Sequence, residues 1–317
     1  MSAATSAIPS PARRASKGSS LWLDAWRRFR SGRVAVLASL VVLAYFALAL
    51  AVRMEWVASD WSESVGDSYA PPALRTVATE DSPASVSPAL WFGTDIFGQS
   101  VLRKTLHGAK ISLTVALLAS LLSVAIGVPL GAAAGYLGGR VDELVVWLYS
   151  TLSAIPGFLL LLAFAFVLRD RLPGLAAVYL AMGLTSWVGL CRLIRGEVIK
   201  HKSRDYVAAA QSYGASRGRI IFRHIIPNVS HLILIDFSLR FVGFIHAEVI
   251  LSFLGLGPND QPSWGNMINE AKQELSRGVW WHLAAPVAAI FALSLALNIA
   301  GDRLRDALDP KLRGSDG

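Results

Sequence analysis

Apolar positions along the chain fall into long runs separated by polar segments of unequal length. The runs cover about Val34–Val52, Ile111–Tyr136, Leu144–Leu168, Leu175–Leu193, Leu232–Leu254 and Val279–Ala300. Roughly 18 or more apolar residues in one stretch mark a helix long enough to cross a bilayer. The pattern predicts an all-α polytopic membrane protein with six transmembrane helices. The fourth run is the weakest, because Gly183, Ser186 and Gly189 dilute it.

The polar segments divide the chain further. Residues 1–33 read as an N-terminal tail. Within it, Trp22, Trp26 and Phe29 follow helical spacing beside Arg27, Arg28 and Arg30, the signature of an amphipathic helix lying on a membrane surface. Residues 34–52 form the first span and 53–110 an external loop. Residues 111–303 form the membrane core and 304–317 a second tail. The external loop is first acidic and turn-rich, with Glu55, Asp60, Glu63, Asp67, Pro71 and Pro72. It then carries Trp91-Phe-Gly-Thr-Asp-Ile-Phe-Gly98. Gly93 and Gly98 permit a tight turn there, and Thr94 or Asp95 is placed to cap the next helix.

Composition supports a membrane class: 54% of residues are hydrophobic and 16% charged, against about 25% charged in soluble domains. The net charge of +8 would suit a nucleic-acid binder, but its distribution does not. The head holds Arg13, Arg14, Lys17, Arg27, Arg28, Arg30 and Arg33 against Asp24. The loop between the fourth and fifth spans holds Arg192, Arg195, Lys200, Lys202, Arg204, Arg217, Arg219 and Arg223 against Glu197 and Asp205. Basic loops stay in the cytoplasm, so the head, this loop and the tail are placed inside. Arg103, Lys104 and Lys110 oppose that placement, since they fall outside; long translocated loops obey the rule weakly. Cys191 is the lone cysteine, excludes an intrachain disulfide, and reads as a small apolar residue.

Within the spans, Gly127, Gly131 and Gly135 recur every fourth residue, a pattern that lets two membrane helices approach closely. Pro156 and Gly157 interrupt the third span and predict a kink, either static or part of an opening movement. The fifth span carries Asp236, Arg240, His246 and Glu248. Asp236 and Arg240 stand four apart, so they either pair on one helix face or line a polar pathway. Glu248 lies near the outer end, where it either faces water or caps a neighbour. Within the apolar runs there is no H-E-x-x-H, no G-x-S-x-G and no pair of aspartates, so hydrolysis within the membrane has no support.

The segment Asp205–Asn228 is basic, helix-forming and set between two apolar runs. Tyr206–Tyr213 favours a helix, Gly214 ends it by adopting a positive φ, Ser216 caps a second helix over Arg217–Ile225, and Pro227 stops that helix. Small residues before the turn admit a partner protein at close range, and the bases suit an acidic groove or anionic lipid.

At these residues the chain resembles a known family. Ala209-Ala210 followed by Gly214, then Ile220, Ile225 and Pro227, is similar to the cytoplasmic loop of permease subunits in bacterial ABC importers. The closer resemblance is to the second permease of the peptide/nickel branch. Gly93-Thr94-Asp95 with Gly98, Gly108–Leu113, Leu251–Gly257 preceded by Glu248, Trp264–Met267 and Gly301–Pro310 are similar to further blocks of that family, in the same order. The resemblance implies the type I importer permease fold and a coupling helix built on Tyr206, Ala209, Ala210, Gly214, Ala215, Ile220 and Pro227. It implies a second permease subunit in a heterodimer, two ABC ATPase subunits, an extracytoplasmic substrate-binding protein and a bacterial inner membrane. It implies no cofactor on this chain and ATP on the partner subunits, in keeping with the missing G-x-x-x-x-G-K-[ST] sequence. Peptides are the implied cargo, with nickel chelates, opines and sugars open, because specificity rests mostly with the binding protein. Two positions depart from the pattern: Ala208 stands where glutamate is usual, and Gln99-Ser100 replaces Arg-Asp, which leaves any ion pair there without its usual members. A transporter or channel working without an ATPase is the other reading.

Overall fold

A computed structural model describes residues 32–73, 87–172, 174–258 and 260–308. The amphipathic helix expected around Trp22, Trp26 and Phe29, and the tail beyond residue 308, lie outside the described residues. The described residues fold into helices joined by turns. These are α1 (Arg33–Arg53), α2 (Val101–Leu137), α3 (Gly139–Ser153), α4 (Gly157–Arg169), α5 (Leu175–Lys202) and α6 (Asp205–Ser212). A one-turn α7 (Arg217–Arg219) and a π-helical stretch (Ile220–Ile225) lead into α8 (Ile226–Phe253). α9 (Trp264–Glu274) and α10 (Trp281–Leu308) complete the chain.

Helices α1, α2, α5 and α10 are each long and apolar enough to cross a membrane, and α3 with α4 forms a bent pair that counts as a fifth crossing. α8 has 28 residues and carries Asp236, Arg240 and Glu248; at about 1.5 Å per residue it too exceeds the ~30 Å hydrocarbon core. The six expected crossings are therefore five unbroken helices and one broken one.

The third crossing corrects the expected kink. Leu144–Leu168 is not one bent helix: α3 ends, Ile155 and Pro156 are non-helical, and α4 departs at 89°. Proline lacks the N–H that would continue the ladder, and it pushes the residue before it out of the helical region. Both effects fall on Ile155–Pro156. The halves, 15 and 13 residues long, each reach only about 20 Å.

α2 begins at Val101, ten residues before the apolar run, and its 37 residues make it about 55 Å long. It packs beside α5, and the two run in the same direction. Their seam is the glycine stripe. A Cβ on Gly127 would meet the Trp187 carbonyl oxygen at 2.9 Å, one on Gly131 the Cys191 oxygen at 2.5 Å, and one on Gly135 the Arg195 oxygen at 2.7 Å. Only hydrogen fits at three successive turns, so backbone lies on backbone. Toward the N-terminal ends of α2 and α5, away from this seam, the main core gathers Leu113, Ala116, Met182, Ile245, Leu251, Trp264 and Met267.

The successive crossings alternate in direction, and two contacts define one end of the bundle. Trp281 Nε1 donates to the Thr94 carbonyl at 3.0 Å, and Arg169 donates to the Gly255 carbonyl at 2.9 Å. The α6–α7 elbow lies at the other end, beside the end of α2.

Candidate functional site

The elbow is built as expected up to its second helix. Gly214 has φ +73°, the left-handed region that glycine enters without cost. A Cβ there would meet nothing within 4 Å. Ser216 caps the next turn, accepting from Arg219 N at 3.4 Å. Pro227 does not stop that helix. The π-helical stretch carries it without interruption into α8, where Pro227 sits in the first turn. A local π adjustment is one way a membrane helix tolerates a proline, because it re-satisfies the backbone groups that the proline frees. Beyond the turn at Tyr213–Ser216, α7, the π-helical stretch and α8 thus form one continuous path into a membrane-crossing helix.

The coupling candidates split between two faces. Ala209 and Gly214 are exposed, with Ala208, Ser212 and Tyr213 around them; Tyr213 is 91% exposed. Ala210 and Ile220 are buried with Val207, Ile221 and Ile225 against Val128, Ala132, Leu190 and Ile194 of α2 and α5. Tyr206 and Ala215 pack at the edge of that cluster. Gln211 Nε2 donates to the Tyr136 hydroxyl at 3.2 Å, and the Tyr206 hydroxyl lies 2.7 Å from His201 Nδ1. One face of the elbow is therefore fastened to the glycine-packed pair, while the other is bare.

At the opposite end, Gly93 and Gly98 have φ +68° and +71° and frame a tight loop. Neither Thr94 nor Asp95 caps α2: Ser100 does, accepting from Arg103 N at 3.3 Å. Thr94 instead donates its hydroxyl to the Asp67 carbonyl at 2.6 Å and accepts from Ala70 N at 2.7 Å. Asp95 accepts from Phe97 N and Gln99 N, both at 2.9 Å, and forms a buried ion pair with Lys104. Arg103 pairs with Asp60 at 2.5 Å. Gln99 and Ser100 instead bond to backbone, Gln99 Nε2 donating to the Ser62 carbonyl at 2.8 Å and Ser100 Oγ to the Ala89 carbonyl at 2.5 Å. Lys104 was the residue missed. Of the three bases that opposed the expected topology, two, Arg103 and Lys104, pair with loop carboxylates.

Inside the bundle, Glu248 does not face water. It is fully buried and accepts from Ser112 at 2.5 Å and Ser252 at 2.7 Å, which ties α8 to α2. Asp236 and Arg240 do pair, with Nε–Oδ2 2.5 Å and Nη2–Oδ1 3.1 Å. Arg240 also donates to the Ser186 carbonyl at 2.8 Å. His246 Nε2 lies 2.9 Å from Ser294 Oγ on α10. A buried His282, whose Nδ1 lies 2.6 Å from Glu274 Oε2, joins α9 to α10; sequence reading gave no hint of that contact. No group of three or more His, Cys, Asp or Glu able to hold a metal occurs among the described residues. Among the described residues the arrangement consists of polar groups paired within a bundle and an elbow with one exposed face.

Known proteins agree with this picture. Residues 127–314 match the family of binding-protein-dependent transport system inner membrane components, and residues 20–72 match the N-terminal TM domain of oligopeptide transport permease C. The dipeptide transport system permease protein DppC of Bacillus subtilis (strain 168) is 36% identical over 92% of this chain and 86% of its own length. The oligopeptide transport system permease protein OppC of the same organism is 35% identical over 94% of this chain and 92% of its own. The glutathione transport system permease protein GsiD of Pectobacterium atrosepticum is 36% identical over 92% of each chain. In fold, the chain resembles a chain of the inward-facing MetNI methionine ABC transporter, with TM-score 0.53 and 14% identity over 66% of this chain and 97% of that one. The chain is a membrane permease and belongs to the family of binding-protein-dependent transport system inner membrane components.

Proposed function

We propose that this chain forms half of the translocation pathway of an ATP-driven importer of peptides. A second permease supplies the other half, two ATPase subunits lie beneath, and an extracytoplasmic binding protein delivers the cargo. Both ends of the chain and the elbow face the cytoplasm, and the Gly93–Gly98 loop faces outside. ATP stays on the partner subunits. The relatives named for dipeptide, oligopeptide and glutathione transport support a peptide cargo.

The observation that carries this reading is the two-faced elbow. Its bare face, centred on Ala209, Tyr213 and Gly214, is available to an ATPase. Its apolar face holds Val207, Ala210 and Ile220 against α2 and α5. When ATP closes the ATPase dimer, the elbow moves with it, and the π-helical stretch and α8 follow as one helix. The bundles rock, and the pathway opens alternately to the two sides. No covalent chemistry occurs on this chain.

The test is reconstitution in liposomes with and without the ATPase subunits. Uptake that requires ATPases and ATP supports the proposal. Equal uptake by the permeases alone would favour a secondary transporter or channel.

A further inference from the structure

The break between α3 and α4 opens a cavity of 490 Å³, lined by Ser153, Phe158, Thr185, Ser186, Gly189 and Arg240 among others. Backbone at membrane depth that is neither helix nor closed sheet is tolerated only against protein or water. An arginine within a span follows the same rule. The broken crossing and Arg240 meet at this one cavity, so the face that holds it is turned away from lipid. In a bundle that forms half of a pathway, that face borders the pathway.

Arg240 is placed to do more than pair with Asp236. A guanidinium has five N–H donors. Two serve the Asp236 carboxylate and one the Ser186 carbonyl. Among the described residues, the other two N–H groups have no acceptor. The side chain stays 26% exposed. Asp236 and Ser186 hold it rigidly in place. Gly189 makes room for it: a Cβ on Gly189 would stand 2.6 Å from Nη2. At the rim, Arg192 donates to Ser153 Oγ at 2.7 Å and lies over the Tyr149 ring. Thr185 and Ser153 also line the cavity, with their hydroxyls donating to the Ala181 and Tyr149 carbonyls, each at 2.8 Å. A pre-positioned guanidinium with two free donors, one on Nη1 and one on Nη2, suits an anionic acceptor such as a carboxylate.

We propose that this cavity is a subsite for the free carboxylate of the cargo, with Arg240 as its ligand and Asp236 as the group that positions it. The proposal rests on the reading of the chain as a peptide permease, and it adds the chemical group that the pathway recognises.

The test uses the assembled importer in liposomes and a matched pair of probes: the dipeptide Ala-Phe and its C-terminal amide. The receptor is the same throughout, so its own preference cancels when each variant is divided by wild type. Arg240→Gln is expected to reduce uptake of the acid about tenfold or more relative to the amide; Arg240→Lys, which keeps charge without the planar fork, is expected to fall between. If Arg240→Gln and Asp236→Asn depress both probes equally, and the double variant restores both, the pair is only structural and the proposal fails. Wild type that imports neither probe would overturn the peptide reading. The subsite then stands or falls on a second measurement, maleimide labelling of Thr185→Cys in the purified complex. N-acetylphenylalanine should slow labelling more than its amide does, and this difference should vanish with Arg240→Gln. Equal labelling rates with the two compounds would overturn the subsite.

Discussion

Gly131 lies so close to Cys191 that a Cβ on the glycine would stand 2.5 Å from the cysteine carbonyl oxygen. That approach sets the spacing of α2 and α5, and the same pair carries the apolar seat of the elbow. Gly131→Ala is expected to destabilise the protein by about 1–3 kcal/mol, as overpacking does, and Gly131→Val by more. Gly196→Ala is the control, because a Cβ there meets nothing within 4 Å. The check is the fraction of purified protein that stays monodisperse after heating in detergent. Equal survival of the Gly131 and Gly196 variants would contradict the seam.

Lys104 and Asp95 are both buried, with side-chain exposures of 6% and 1%. Removing one partner of such a pair strands a charge and costs about 3–5 kcal/mol, whereas removing both costs far less. Lys104→Met should therefore lower thermal survival more than the double change Lys104→Met with Asp95→Asn. A double variant no better than the single would mean that the pair itself is not what orders the loop.

Glu248 accepts two serine hydroxyls in a site with no exposure. Glu248→Ala leaves those hydroxyls short of an acceptor and adds a void, with an expected cost of about 1–3 kcal/mol. Glu248→Gln keeps an acceptor and should cost less than half of that. Thermal survival of the two variants side by side gives the comparison, and equal losses would show that shape alone matters there.

Gly214 separates strain from docking. Its φ of +73° disfavours any side chain, yet open space surrounds it. Asparagine tolerates that backbone region better than most residues. Gly214→Asp is expected to reach the membrane at normal levels and to abolish uptake. Gly214→Asn, without the charge, should retain part of it. Membrane quantitation and uptake in the same cells decide the matter, and normal uptake by Gly214→Asp would count against coupling at the elbow.

The crossings were legible because bilayer thickness fixes the length of an apolar run. The glycine stripe was legible because its four-residue period has one packing meaning in a membrane. Pro156 marked the right place but not the extent of the break, since a proline's local effect does not say whether the helix resumes along its old axis. Pro227 was misread because a proline stops a helix only when its missing N–H is required, and the register of the π-helical stretch decided that. The partners of Asp95, Glu248 and His282 were not legible. Ser112 and Glu248 are 136 positions apart, and no periodicity connects them. The split of the elbow into a buried Ala210 and an exposed Ala209 follows from helical rotation, but only once the cluster beneath it is known.

The central claim is that the exposed face of the elbow meets a separate ATPase on the cytoplasmic side. It is tested most directly by a single cysteine at Tyr213, with Cys191→Ser, in the assembled importer. Tyr213 is 91% exposed and Phe97, at the other end of the bundle, is 68% exposed. A cysteine at Tyr213 should cross-link to the ATPase subunit and resist a membrane-impermeant maleimide added outside cells with a permeabilised outer membrane; a cysteine at Phe97 should do the reverse. External labelling at Tyr213, or no ATPase adduct in an intact complex, would contradict the account.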